Sequence, residues 1–236
     1  MDTIEGIGEL VALGGPVFVV LFVVSVAATA LVLQKLLQLA RLKVGRHAAA
    51  EAAVAHWVRG DAEAALAAVA SDGAPSSLVV AAALNGLSRE GAGETLVKED
   101  VGRVSAEVLT RLQRYLRPLD AIAQIAPLLG LLGTVIGMIE TFSSMEEAGG
   151  AVVPADLAGG IWVALLTTGF GLAIAIPVTA LLAWFDGIVE RERARMESLL
   201  TSIFTRRVSD AAPGVPEAAE MTQPDPAGVA TVLAPE

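Results

Sequence analysis

The sequence predicts an all-α membrane protein with three transmembrane helices and long cytoplasmic helical extensions. Of its 236 residues, 54% are hydrophobic and 18% are charged, and the mean hydropathy is +0.64. A typical soluble domain has about 25% charged residues. Three uncharged stretches are each long enough to cross a bilayer, which takes about 20 residues in a helix. The rest of the chain lacks the alternating pattern that predicts strands.

The same composition argues against several other classes of protein. The chain has no cysteine and two histidines, which disfavours an iron–sulfur protein, a disulfide-linked domain or a zinc site. His47 and His56 lie nine residues apart, whereas two metal ligands on one helical face lie four apart, so we expect no metal. A net charge of −10 disfavours a nucleic-acid binder. Without a nucleotide-binding turn or a nucleophile–base pair, we expect neither an enzyme nor a cofactor.

The first span is predicted over residues 17–34, after an acidic N-terminal segment, residues 1–16. A secretory signal peptide has basic residues before its apolar run and a small-residue cleavage site after it. Here acidic residues precede the run and Gln34-Lys35 ends it, so we expect this helix to be retained. The second and third spans are predicted over residues 121–142 and 157–185, joined by a loop of residues 143–156.

The positions of the basic residues predict the orientation of these spans. Of the 16 lysines and arginines, eleven lie between Lys35 and Arg117 and five between Arg191 and Arg207. Since basic residues concentrate on the cytoplasmic side, the sequence predicts a multi-pass membrane protein whose 35–120 region and C-terminus lie in the cytoplasm. Its N-terminus and its 143–156 loop would face outward.

The cytoplasmic region, residues 35–120, is predicted to be helical. Alanine-rich helices are expected over Ala48–Val58 and Ala62–Ala70, the second capped by Asp61, and another from Ser76 to Arg89. From Glu94, apolar residues recur every three or four positions and predict one long helix that leads into the second span. A matching apolar stripe runs along a cytoplasmic helix, residues 186–207, and we expect the two to pack together. The acidic, proline-rich tail, residues 208–236, is predicted to be disordered.

The second and third spans are patterned for close helix packing. Small residues recur in both at intervals of three or four, a spacing that lets helix backbones approach closely in lipid. Each span also has an internal proline, Pro127 or Pro177, where we expect a kink. The predicted packing positions are Gly130, Gly133, Gly137, Gly160, Ala164 and Gly171.

Two stretches resemble the paired motif of the MotA/TolQ/ExbB proton-channel family, and most closely that of its ExbB/TolQ branch. They are APLLGLLGTVIGMIETF, residues 126–142, and GIWVALLTTGFGLAIAIP, residues 160–177. The number of spans, their orientation, the long first cytoplasmic region and the total length are also similar. A flagellar-type rotary stator is disfavoured because two further spans would be expected before the shared pair.

The resemblance implies a three-span subunit that assembles into a ring, a homopentamer, in the lipid bilayer of the bacterial inner membrane. The N-terminus and the 143–156 loop would then be periplasmic. Such a ring encloses the transmembrane helices of a single-span partner similar to ExbD or TolR, which has an ion-carrying aspartate. A periplasm-spanning protein similar to TonB or TolA is a further implied partner. The complex uses the proton motive force to do work on the periplasm or outer membrane. The resemblance also implies that Thr134 and Thr168 face the ion pathway, whereas from the residues alone each hydroxyl could simply bond a carbonyl one turn back.

One expected residue is missing. The family usually has a glutamate in the third span, and the matching position here is Val163. This departure leaves several alternatives open: proton conduction with a carrier other than this glutamate, a pathway for another ion, an engineered substitution, or a divergent membrane scaffold that keeps the fold without conducting. Glu140 is the one ionisable residue near the apolar part of these spans. Counting from the ends of the spans places it about 7 Å in depth from Val163, where it would either be merely hydrated or attract cations at the pore mouth.

Overall fold

The computed structural model describes residues 2–89, 93–147 and 154–205, without the side chains of residues 2–14, 154 and 156. All regular structure in these ranges is helical, as predicted. The predicted disordered tail and residues 148–153 of the predicted periplasmic loop lie outside the described residues. The seven helices are α1 (Asp2–Arg41), α2 (Ala48–Val58), α3 (Ala62–Val69), α4 (Pro75–Leu87), α5 (Glu94–Gln113), α6 (Leu116–Glu147) and α7 (Pro154–Thr205).

Three helical stretches are long and apolar enough to cross a membrane, which confirms the predicted number. They are Gly15–Arg41, the stretch Glu94–Glu147 that contains α6, and Leu157–Thr205. The first begins at an irregularity in α1, where Gly15 has φ +66° immediately before Pro16. Glycine adopts this conformation without steric cost. Helices α6 and α7 continue as helix through Pro127 and Pro177.

Helices α2 to α5 form a bundle against the C-terminal half of α7. The predicted bounds of α2 are confirmed, and those of α3 and α4 differ by one or two residues. Asp61 caps α3, because its side chain accepts a hydrogen bond from the Ala64 N–H at 3.0 Å. Both predicted apolar stripes are buried, and α7 packs on α2, α4 and α5. The buried stripe residues are Val97, Val101, Val108 and Leu112 on α5, and Val189, Met196, Leu199 and Ile203 on α7.

The prediction of one long helix leading into the second span is wrong at one point. The chain leaves the helical conformation at Arg114 and Tyr115, the latter with φ +72°, and α6 starts at Leu116. Pro118 explains the position of this break. A proline inside a helix clashes with the carbonyl four residues earlier, here that of Arg114, and has no N–H to offer it. Helix α5 is therefore joined to the apolar helix α6 through a bend.

Candidate ion pathway in the α6–α7 hairpin

Helices α6 and α7 pack closely because small residues face each other across the seam. A Cβ atom added at Gly130 would lie 3.0 Å from the Thr167 carbonyl oxygen, and one at Gly171 would lie 2.6 Å from that of Ala126. At these points the two backbones are in contact, so that a side chain at either glycine would force the helices apart. Gly133 faces the side chain of Thr167 in the same way.

The same contacts define the register of the hairpin. Gly137 faces Ala164, and Gly160 faces the side chain of Thr141. In this antiparallel register, Glu140 and Val163 differ by about two residues in depth, or about 3 Å at 1.5 Å per residue. Counting from the ends of the spans predicted a difference in depth of about 7 Å between these two residues. The packing contacts place the two positions closer because they fix the helices against each other, whereas the ends of an uncharged stretch do not.

The hydroxyl groups of α7 converge on one carbonyl of α6. Thr168 Oγ1 donates to the Gly130 carbonyl at 3.0 Å, and Thr167 Oγ1 lies 3.3 Å from the same oxygen. Thr167 also donates to the Ala164 carbonyl at 2.7 Å and is 2% exposed. Such interhelical hydrogen bonds contribute to helix association in lipid. Thr168 is therefore bonded across the seam and not to its own helix.

Thr134 behaves differently from Thr168. Its hydroxyl donates to the Leu131 carbonyl of its own helix at 2.7 Å, the local bond expected of a threonine in a membrane helix. Because Gly133 faces Thr167, Thr134 and Thr168 lie at nearly the same depth. The structure therefore places both predicted threonines in the middle of the hairpin, with one bonded locally and one bonded to the neighbouring helix.

Glu140 and Val163 lie towards the end of the hairpin where α6 connects to α7. Glu140 is exposed on the single chain and Val163 is half-buried, one residue before the packing position Ala164. Ser144 donates to the backbone carbonyl of Glu140 at 2.8 Å. At this end of the hairpin, α6 thus has the carboxylate of Glu140 and α7 has the apolar Val163 at a similar depth.

Sequence reasoning passed over Thr167, although it follows Ala164 by three residues and precedes Gly171 by four. That spacing is the signal that places it on the packing face. Thr168, chosen through the family resemblance, lies one position further round the helix. The pair acts together at the Gly130 carbonyl.

A second polar cluster, also missed, lies where the segment between α1 and α2 meets α4 and α7. Glu192 on α7 is 2% exposed, and its Oε2 accepts the Gly45 N–H at 3.2 Å and lies 3.6 Å from His47 Nε2. His47 Nδ1 lies 3.2 Å from Ser76 Oγ on α4. The second histidine of the chain, His56, contacts Arg59 and Asp61 instead. The cluster ties the segment between α1 and α2 to α4 and α7.

These features define a three-span helical membrane protein whose last two spans form a tightly packed hairpin. Residues 72–198 match the MotA/TolQ/ExbB proton channel family. The chain belongs to this family and lies in its ExbB branch.

Curated relatives support the same branch. The chain is 42% identical over 88 residues to biopolymer transport protein exbB1 of Vibrio cholerae, covering 37% of this chain and 39% of that protein. It is 34% identical over 91 residues to biopolymer transport protein ExbB of Aquifex aeolicus, covering 39% of this chain and 59% of that protein. The ExbB protein of Xanthomonas campestris is 33% identical over 106 residues, covering 43% of this chain and 42% of that protein. The matched segments thus span about two-fifths to three-fifths of these relatives.

Proposed function

We propose that this chain is the ring-forming subunit of an ion-driven energy transducer in the bacterial inner membrane. Five copies would surround the transmembrane helices of a single-span partner similar to ExbD or TolR. The complex would use the proton motive force to power transport or work on the cell envelope, through a periplasm-spanning protein similar to TonB or TolA. The N-terminus would be periplasmic and the C-terminus cytoplasmic. The role is one of ion transport and force transmission, not of enzymatic catalysis.

The observation that carries the proposal is the polar centre of an otherwise apolar hairpin. Thr134, Thr167 and Thr168 lie at one depth, in a segment within the family match. Polar groups in the interior of a membrane are costly, and they commonly mark ion or proton pathways. Glu140 lies further out on the same hairpin, at the position that a cation entering from the periplasm would meet. We assign Thr134, Thr168 and Glu140 to the ion pathway.

Val163 favours a second candidate, a membrane scaffold of the same fold that does not conduct. In this alternative the hairpin hydroxyls serve packing alone, and the missing carboxylate at position 163 reflects a lost function. The two candidates agree on membrane insertion and on assembly. They differ in whether ions cross the complex.

Assembly can be tested by native mass spectrometry of the complex extracted gently from the membrane. The chain would be tagged and coexpressed with a single-span membrane protein that has an aspartate in its span, sought among the neighbouring genes. We expect a mass equal to five copies of this chain plus the partner. A tagged chain that extracts as a monomer, or as a ring without any single-span protein, would contradict the proposed complex. As a matched control, Gly102→Leu, on an open surface of α5, should leave the mass unchanged.

A further inference from the structure

The bend between α5 and α6 leaves carbonyl groups without their helical partners. In a continuous helix the carbonyls of Arg111 and Leu112 would accept the N–H groups of Tyr115 and Leu116. The Arg114 carbonyl has no such donor, since the residue four positions later is Pro118. The Arg111 carbonyl instead accepts the Arg114 N–H at 3.3 Å. The carbonyls of Leu112 and Arg114 need donors from elsewhere, because unpaired buried polar groups are costly.

Two side chains of α1 supply those donors. Lys35 is fully buried, and its ammonium group donates to the carbonyls of Leu112 and of Arg114, the latter at 3.1 Å. It also lies 3.4 Å from Gln38 Oε1, so its three N–H donors face three acceptors. Gln38, one turn further on, donates to the Arg111 carbonyl. A cation at the C-terminal end of α5 is also favoured by the helix dipole.

The joint is held under strain. Tyr115 has φ +72°, a conformation that residues with a bulky side chain rarely adopt and that persists only when the surroundings impose it. The Arg114 guanidinium lies 5.2 Å from the centre of the Tyr115 ring, and Leu112 and Leu116 on either side are buried. An apolar side chain of similar length could fill the space of Lys35 without the cost of burying a charge. The freed carbonyls explain why the position has an ammonium group.

We propose that Lys35, with Gln38, is a positioning residue that sets the angle between the cytoplasmic helix α5 and the membrane helix α6. This inference rests on the proposed function, because α6 is one wall of the proposed ion pathway. Because Lys35 and Gln38 bond the bend to α1, a movement of the α6–α7 hairpin during ion passage is transmitted to α5. Without these contacts, α6 takes a different angle to α5, the α6–α7 hairpin is displaced, and proton influx falls.

The test uses the full chain in its purified complex. Lys35→Met removes the donors and keeps the length of the side chain, Lys35→Arg keeps donors, and Lys43→Met removes an exposed charge as a matched control. We expect the backbone amides of residues 112–117 and 119 to exchange hydrogen about tenfold faster in Lys35→Met, with less effect in Lys35→Arg and none in Lys43→Met. If these amides exchange at the same rate in Lys35→Met and in the unchanged chain, Lys35 does not hold the bend between α5 and α6, and the proposal is wrong. If Lys35→Met does not insert, Gln38→Ala provides the same comparison.

A double variant separates positioning from simple stabilisation. Pro118→Ala gives the Arg114 carbonyl a helical donor again, so that Pro118→Ala with Lys35→Met should regain slow exchange. We expect its proton influx, measured with a pH-sensitive dye in proteoliposomes, to stay low because α5 and α6 are then aligned at the wrong angle. Influx that returns together with slow exchange would overturn the positioning role. A further possible result is that the complex without substitutions shows no proton influx while Lys35→Met still speeds amide hydrogen exchange. That result would contradict the proposed function but would leave the role of Lys35 at the bend intact.

Discussion

At the scale of single residues, the Gly130 carbonyl is the point on which the hairpin hydroxyls converge. A carbonyl oxygen has two lone pairs, and the hydroxyls of Thr167 and Thr168 both lie within 3.3 Å of this one. Thr167 is buried in the seam, whereas Thr168 is half-buried at its edge. We therefore assign packing mainly to Thr167 and contact with the ion pathway to Thr168.

Replacing the pathway threonines by valine tests this assignment. Thr168→Val and Thr134→Val keep the shape of the side chain and remove one hydroxyl each. Loss of a hydrogen bond worth about 1 kcal/mol corresponds to a rate about fivefold lower, so we expect proton influx to fall by about that factor in each variant. Thr110→Val is the control, since the exposed Thr110 on α5 bonds only its own helix, at the Ala106 carbonyl. Unchanged influx in both membrane variants would leave these hydroxyls with a packing role.

Glu140 and Val163 allow a transfer experiment, because the register places them about 3 Å apart in depth. We expect Glu140→Gln to reduce proton influx about tenfold or more, since it removes the carboxylate that we propose to attract cations to the pathway. Adding Val163→Glu to that variant should restore part of the influx, whereas adding Val163→Gln should not. Full influx in Glu140→Gln alone would show that Glu140 is only a hydrated interfacial residue.

At the scale of the helices, the sequence predicted faces better than it predicted registers and breaks. Spacing at three and four residues identified the packing faces, but nothing in that spacing states which residue of α6 opposes which residue of α7. That depends on the fit of the two surfaces, such as Gly133 against Thr167. Pro118 did mark the break before α6, and was overlooked because the apolar stripe continues across it. The buried Lys35 could not be predicted, because its acceptors lie 77 and 79 residues further along the chain.

The glycines of α7 offer a matched pair for testing the seam. Gly171→Ala would place a methyl group 2.6 Å from the Ala126 carbonyl oxygen, whereas a methyl group at Gly169 meets nothing within 4 Å. We expect Gly171→Ala to destabilise the protein by about 1–3 kcal/mol through overpacking, lowering the midpoint of thermal unfolding in detergent. Gly169→Ala should leave it unchanged or slightly raised, because alanine favours helix. Equal midpoints in the two variants would contradict the close α6–α7 contact.

At the scale of the whole molecule, the distribution of charge predicts how the chain lies in the membrane. The absence of cysteine allows single introduced cysteines to report on each side. Gly159→Cys and Gly102→Cys both occupy open space, near the outer end of α7 and on α5. In spheroplasts, we expect a membrane-impermeant maleimide to label Gly159→Cys directly and Gly102→Cys only after the membrane is opened. The reverse pattern would contradict the proposed orientation.

The fold, the packed hairpin and the family are established, and the proposal adds that ions cross the complex through that hairpin. The measurement that tests this most directly is proton influx into proteoliposomes containing the purified complex, with a pH gradient and membrane potential imposed. We predict influx that depends on the imposed gradient and that falls in Thr168→Val and in Glu140→Gln. A correctly assembled complex with no influx above that of empty vesicles would contradict the account and leave the non-conducting scaffold.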